Sequence, residues 1–310
     1  MRIAVVDVGT NSTRLFVADV EDGRVTRQVT RETRITRLGA GVDANGRLDP
    51  EAIKRVLATL DDYQRIIDEY HAERRVAVLT SAVRDAANGE EFAAMLRDRY
   101  GLDAKILDGE EEGRLTFLGA TSERDPEDRT TTLVTDIGGG STEFVIGHGR
   151  EARFHVSTQA GAVRQTERHL HHDPPLREEL DALAADVRSI IAAAVPEQWC
   201  RVEHAIAVAG TPTSLAAVAQ DLEPYDPNRV HGYLLRRGEC ERLLARLAAL
   251  PLSERRQVPG LHPDRAPTIV AGAAILAEIM RLFELEEIEV SEHDILRGAA
   301  LAFAAGSGPR

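Results

Sequence analysis

The chain has 310 residues, 43% of them hydrophobic and 29% charged, with a net charge of −13. That length and balance fit a globular protein with room for two domains. The acidity argues against a general nucleic-acid binder, but not against a phosphate substrate held by local amides, a metal and a few arginines. No stretch approaches membrane-spanning length, and the N-terminus enters a strand without a secretory leader. The two cysteines, Cys200 and Cys240, form no CxxC and no disulfide framework, which points to reduced thiols in the cytoplasm.

In chain order, Arg2–Asp7, Arg14–Val20 and Val25–Leu38 read as strands, with turns at Gly9–Ser12 and Glu21–Gly23. The third strand carries Arg27, Arg31, Arg34 and Arg37. These either line a polyanion path or form a charged edge that resists unwanted strand pairing. Asp49-Pro50-Glu51 starts a helix, with a capping acid and Pro in the first turn. Ile53, Val56, Leu57, Leu60, Ile66 and Ile67 continue it at helical spacing to near His71. Strand Arg75–Leu79 leads into Thr80-Ser81-Ala82-Val83-Arg84-Asp85. Arg84 thus follows a strand end, where α/β sheets bind ligands; a surface ion pair is the plainer alternative. A helix over 88–100 and a short strand at Ala104–Leu107 follow. The next helix begins at Asp108-Gly109-Glu110-Glu111-Glu112, where acids suit the helix dipole. A general base among them would have to be turned inward. The polar Ser122–Asp128 loop marks a boundary between a first domain, 1–122, and a second, 123–293, with a final helix from Asp294 free to pack back on the first.

The second half repeats the plan. Thr131–Asp136, Glu143–Ile146 and Glu151–Val156 read as strands, followed by helices at Ala160–Leu170 and Leu176–Ala194. Strand His204–Ala209 enters Gly210-Thr211-Pro212-Thr213-Ser214-Leu215, a helix start that either meets an anion or is simply capped. Helices at Arg237–Ala249 and Pro267–Leu282 and a strand at Ile288–Val290 complete it. His169, His171, His172 and Asp173 fall at a helix end before Pro174-Pro175. Their spacing matches no common metal pattern, and histidines suit a helix C-terminus.

The chain's centre is Leu133–Ile146, LVTDIGGGSTEFVI: strand, glycine turn, strand. Gly138, Gly139 and Gly140 expose backbone N–H groups, Ser141 and Thr142 add hydroxyls, and Asp136 and Glu143 flank the turn. Two carboxylates beside a nest of amides suit a divalent metal carried in with a phosphate. Asp7-Val8-Gly9-Thr10-Asn11-Ser12-Thr13 aligns with Asp136–Thr142 without a gap. Self-similarity at a fixed offset indicates a duplicated unit, and two related halves, each with a phosphate-type turn, suggest a ligand clamped in a cleft.

These motifs resemble a known family. The repeated order of strands and helices is similar to the duplicated ribonuclease-H-like α/β fold of the actin/Hsp70/sugar-kinase superfamily. Within it, DVGTNSTRL (7–15), TSAVRDAAN (80–88), GEEEGRL (109–115), DIGGGSTE (136–143) and GTPTSLAA (210–217) resemble the exopolyphosphatase/guanosine-pentaphosphate phosphatase (Ppx/GppA) family in its short two-domain form. The resemblance implies Glu112 as the general base, and Asp136 and Glu143 as acids that place Mg²⁺ (or Mn²⁺) and the attacking water. It implies Gly138, Gly139, Gly140 and Ser141 as a phosphate cradle, and Asn11, Ser12, Arg14 and Arg84 as phosphate-binding residues. Gly113 departs from the family's usual alanine, and Ile295-Leu296-Arg297-Gly298 keeps part of a pattern to which no role is carried. The implied activity is metal-dependent release of terminal orthophosphate from inorganic polyphosphate, by a cytoplasmic homodimer. Guanosine pentaphosphate is the near alternative; a kinase or a nucleotide-gated binding protein of the same superfamily is more distant. The second-domain stretch Gly210-Thr211 lacks the paired glycines usual in a kinase adenosine site.

Overall fold

Apolar runs on both sides of Gly9 fold back on each other as an antiparallel hairpin, β1 (Arg2–Val8) and β2 (Ser12–Glu21). In this computed structural model, which describes residues 1–306 and 308, the hairpin begins one of two compact units. The first unit comprises residues 1–123 and the stretch from His293 onward; the second is Arg124–Glu292.

In the first unit β3 (Arg24–Ile35) pairs antiparallel with β2 as a sheet edge. After short α1 (Val42–Asn45) and long α2 (Pro50–Glu69), β4 (Arg74–Leu79) returns parallel to β1. Short α3 (Ser81–Arg84) and α4 (Gly89–Tyr100) lead to β5 (Asp103–Ile106), parallel to β4, and then to α5 (Gly109–Ala120). The strand order is β3-β2-β1-β4-β5. The central strand β1 is apolar on both faces because both are covered. Ala4, Val6 and Val8 share a core with Val56, Leu60, Tyr63, Phe92 and Leu96. Ile3 and Val5 pack with Leu115 of α5 and with Leu296, Ala299 and Phe303 of the final helix. The Asp49 carboxylate caps α2, accepting from Glu51 N at 2.9 Å and Ala52 N at 3.0 Å.

The second unit runs β6 (Thr132–Ile137), β7 (Thr142–His148), β8 (Glu151–Thr158), α6 (Ala162–His169), α7 (Arg177–Ala194) and β9 (His204–Val208). It continues through α8 (Gly210–Ala219), α9 (Pro227–Val230), β10 (Tyr233–Arg236), α10 (Arg237–Ala248), α11 (Leu252–Arg255), α12 (Ile269–Leu282) and β11 (Glu287–Val290). The final helix, α13 (Ile295–Ala304), belongs to the first unit. The second sheet has the order β10-β11-β9-β6-β7-β8. Read from β8, the series β8-β7-β6-β9-β11 has the same strand directions as β3-β2-β1-β4-β5: antiparallel, antiparallel, parallel, parallel. This is the duplicated ribonuclease-H-like architecture, with β10 added at one edge.

Several boundaries differ from expectation, among them these. β3 stops at Ile35 rather than Leu38, because the Thr36 and Arg37 amides turn onto the Asn11 carbonyl. The helix expected from Ala160 starts at Ala162, because extended Gly161 lies against the Gly139 and Gly140 backbone. The helix expected from Pro267 starts at Ile269, after Thr268. Strand β10 was not expected; four residues at an edge give too short an alternation to read. Among the described residues no helix is long and apolar enough to cross a membrane.

Candidate active site

The second glycine turn is built by its neighbours. Gly138 N donates to Ser141 O at 3.0 Å and closes the turn. The Gly138 carbonyl accepts from Ala162 N at 2.9 Å, and the Gly139 carbonyl from Val163 N at 2.8 Å and Arg164 N at 3.2 Å. Arg164 Nε donates to the Gly140 carbonyl at 2.8 Å. A trans peptide points its C=O and the following N–H to opposite sides. With three carbonyls drawn toward α6, the N–H groups of Gly139, Gly140 and Ser141 face the other way, as an anion cradle requires. Gly161 is a steric necessity here: a Cβ would lie 2.3 Å from the Gly139 oxygen and 2.3 Å from the Gly140 carbonyl carbon.

Asp136 and Glu143 face each other in register across β6 and β7. Both are buried, Glu143 to 1% exposure, and Ser157 Oγ donates to Glu143 Oε1 at 2.9 Å. Like charges directly opposite on adjacent strands repel, and burial sharpens the repulsion. Two such carboxylates form a hard-oxygen donor set that fits a divalent cation of the Mg²⁺ or Mn²⁺ type.

The first turn has the same frame. Gly9 N donates to Ser12 O at 2.9 Å. The Thr10 carbonyl accepts from Gly39 N at 2.8 Å, and the Asn11 carbonyl from Thr36 N at 3.0 Å and Arg37 N at 2.9 Å. The N–H groups of Asn11 and Ser12 are thereby turned the opposite way. Opposite Asp7, however, stands Arg14. Its Nε reaches Asp7 Oδ2 at 2.7 Å and its Nη1 reaches Asp294 Oδ2, which Arg31 Nη2 also meets at 2.9 Å. Burial pushes the Asp7 carboxyl up from its ordinary range, with Arg14 opposing. Burial acts the same way on Asp294, but Arg14 and Arg31 outweigh it and hold that carboxyl below the ordinary range. Arg14, grouped in the sequence with the phosphate-binding residues, is paired with two buried acids.

Glu112 and Arg84 meet directly. The Thr80 amide bonds to the Val8 carbonyl at 3.3 Å, which sets the end of β4 beside the end of β1. One turn of α3 later, Arg84 Nη1 donates to Glu112 Oε2 at 2.7 Å and to the Leu107 carbonyl at 2.9 Å. The Asp108 carboxylate caps α5 through Glu111 N at 2.8 Å. Helix phase then separates the three glutamates: Glu110 is exposed, Glu111 half-buried, and Glu112 buried with 7% exposure. Gly113 is buried beside it.

Other sequence candidates fall elsewhere. His169 pairs with Asp186 at 3.0 Å and His172 with Glu179 at 2.8 Å, while Asp173 accepts from Leu252 N at 2.8 Å. On β3, Arg34 pairs with Asp62 at 2.5 Å and Arg31 with Asp294. Sequence reasoning missed Asp294, Ser157, Gly161 and Arg265. Arg265 lies over the start of α8, so close that a Cβ on Gly210 would fall 1.3 Å from its Nη1. An acid directly before the final apolar run was the one available signal for Asp294; Arg265 left none.

The family model for the Ppx/GppA phosphatases matches residues 16–300 of the chain. Exopolyphosphatase 2 of Mycobacterium tuberculosis is 39% identical, over 98% of both chains. The crystal structure of the Ppx/GppA family member of Aquifex aeolicus superposes with a TM-score of 0.83 at 32% identity, covering 100% of this chain and 99% of that one. A crystal structure of an exopolyphosphatase from Cytophaga hutchinsonii gives a TM-score of 0.89 at 28% identity, covering 99% and 98%.

Proposed function

The chain belongs to the Ppx/GppA phosphatase family, and we propose that it is an exopolyphosphatase, a phosphoanhydride hydrolase that releases terminal orthophosphate from linear inorganic polyphosphate. The observation that carries the mechanism is the buried Glu112 carboxylate held by Arg84 at 2.7 Å. Glu112 is the general base: it orients a water, takes its proton, and the water oxygen bonds to phosphorus as the anhydride P–O bond breaks. The products are orthophosphate and a chain one phosphate shorter. Arg84 neutralises the terminal phosphoryl. When that phosphate draws the guanidinium away, the Glu112 carboxylate becomes available to water.

In the second unit, the Gly139, Gly140 and Ser141 amides take phosphate oxygens, with Gly138 closing the turn behind them. In the first unit, Asn11 and Ser12 do the same, and Arg14 holds Asp7 behind them. Asp136 and Glu143 are the ligands for Mg²⁺ or Mn²⁺; such an ion, when bound, offsets phosphate charge and orients water. The reading includes a cytoplasmic homodimer, for which light scattering of the purified protein is the check on assembly.

The test is Mg²⁺-dependent phosphate release from long-chain polyphosphate, guanosine pentaphosphate and ATP in parallel, for wild type and Glu112→Gln. Polyphosphate should be the best substrate, and the substitution should lower kcat by about 10²- to 10⁴-fold. Preference for guanosine pentaphosphate would reassign the substrate on the same mechanism. Undiminished activity in Glu112→Gln would remove the base assignment.

A further inference from the structure

We propose that Asp294 is a positioning residue for this reaction: it locks the final helix to the first glycine turn and to the helix that carries Glu112. The inference rests on the hydrolase reading for its kinetic consequence, and on geometry within the first unit for the lock itself.

Asp294 is 1% exposed and makes contacts in three directions. Its Oδ1 accepts from Leu296 N at 3.0 Å and so caps α13. Its Oδ2 takes Arg31 Nη2 at 2.9 Å and Arg14 Nη1. The other edge of Arg14 grips Asp7 Oδ2, with Nη2 at 2.6 Å and Nε at 2.7 Å. Asp7 stands two residues before Gly9, so one run of charge-assisted bonds joins the cap of α13 to the base of the first turn.

The third contact is made by backbone. A Cβ on Gly119 of α5 would lie 1.9 Å from the Asp294 carbonyl oxygen, and a Cβ on Gly298 of α13 would lie 1.8 Å from the Leu115 carbonyl oxygen. At these points the two helices touch main chain to main chain, with no side chain between them to absorb a shift. Glu112, Leu115, Thr116 and Gly119 form one buried stripe along α5, at the i, i+3, i+4, i+7 spacing of a single helix face. A displacement of Asp294 is therefore delivered to the stripe that ends at Glu112. The far end is pinned as well: Arg297 Nε donates to Ser122 Oγ at 2.8 Å, and that hydroxyl donates to the Gly119 carbonyl at 2.8 Å.

A purely structural role would give the same ion pairs but no selective effect on turnover, and the experiment separates the two. Asp294→Asn keeps an N-cap acceptor and the shape, and removes the charge that holds Arg14 and Arg31. Its kcat on polyphosphate should fall about 10- to 100-fold, as expected for a displaced catalytic group, while KM stays within about two-fold of wild type. Arg31→Met, on the edge strand, releases one partner of Asp294 without opening the core. It should lower kcat about 3- to 10-fold with little change in melting temperature, and Arg31→Lys should recover most of the loss. Hydrogen exchange over residues 110–118 should quicken in both Asp294→Asn and Arg31→Met, and in Arg31→Met it should do so while global stability is retained.

Wild-type kcat in folded variants, or a raised KM with kcat unchanged, overturns the proposal. If Asp294→Asn does not fold, the Arg31 pair decides. Glu112→Gln is run alongside. Should that variant keep full activity, the hydrolase mechanism fails, and the exchange measurement still decides the lock: unaltered exchange in α5 would overturn it.

Discussion

The two glycine turns share a hydrogen-bond frame and differ in the residue that faces the aspartate across the hairpin, Arg14 in the first and Glu143 in the second. The first hairpin thus neutralises its acid internally and hands the surplus guanidinium edge to Asp294. The second sets two buried acids, Asp136 and Glu143, directly opposite each other. One duplicated backbone therefore carries two charge patterns through a single position: an acid paired with an arginine in the first hairpin, two facing acids in the second. In a hairpin the backbone fixes where the turn's amides point, and the cross-strand partner decides which charge stands beside the aspartate.

The largest effect that would break this comparison is charge reversal in the first turn. Arg14→Glu would leave three acids buried together with Arg31 as the nearest compensation, and should cost about 3–5 kcal/mol in urea unfolding. Near-wild-type stability would show that Asp7 and Asp294 are not held by Arg14. The converse change, Glu143→Gln, should leave folding intact but lower Mg²⁺ affinity and metal-dependent turnover by roughly 100-fold or more, read by metal titration and phosphate release. Chelation of divalent ions should silence wild type in the same assay.

Smaller effects probe the frames. Gly161→Ala forces a Cβ into backbone atoms of the second turn and should cost about 1–3 kcal/mol with a matching loss of activity. In Gly39→Ala the nearest obstacle is the Thr10 Cγ2 methyl at 2.3 Å, a side-chain group, so the measured loss should be the lesser of the two. The smallest effect is in pH. Although burial pushes Asp294 up, Arg14 and Arg31 hold it below the ordinary carboxylate range. Its contribution is therefore present above the unfolded value of about 3.9 and lost as pH falls through the lower folded value. Asp7, shifted up by burial, has the opposite sign but is present in both proteins compared. The stability gap between wild type and Asp294→Asn should narrow as urea unfolding is repeated from about pH 5 down to about pH 3.

Both turns were legible in the sequence because a hairpin is local: a strand, a short turn of fixed length and a returning strand set the register, which brings Asp136 opposite Glu143 with no other information. The repeat showed the duplicated order of strands and helices, and two boundaries that slipped, at Ile35 and Ala162, did so where a distant backbone group claimed a turn. Helix-dipole reasoning alone did not separate Glu110, Glu111 and Glu112, which are equally suited to a first helical turn; the motif resemblance named Glu112, and the packing of α5 is what buries it. The Arg84–Glu112 pair joins two helices, and Asp294 joins residues from opposite ends of the chain. Such contacts leave no periodic trace. Gly119 and Gly298 were visible as glycines inside helices, but their meaning lay in each other.

The second unit is an insertion within the first, since residues 124–292 are made before α13 can close the core around Ile3, Val5, Phe16, Val76 and Val78. During synthesis that apolar sheet face stays uncovered while the whole of the inserted unit leaves the ribosome and folds. The part of the protein made first is consequently the part completed last. Apolar surface left open in that interval is prone to association, and a nascent chain arrested near His293 should display a finished second unit and an unfinished first.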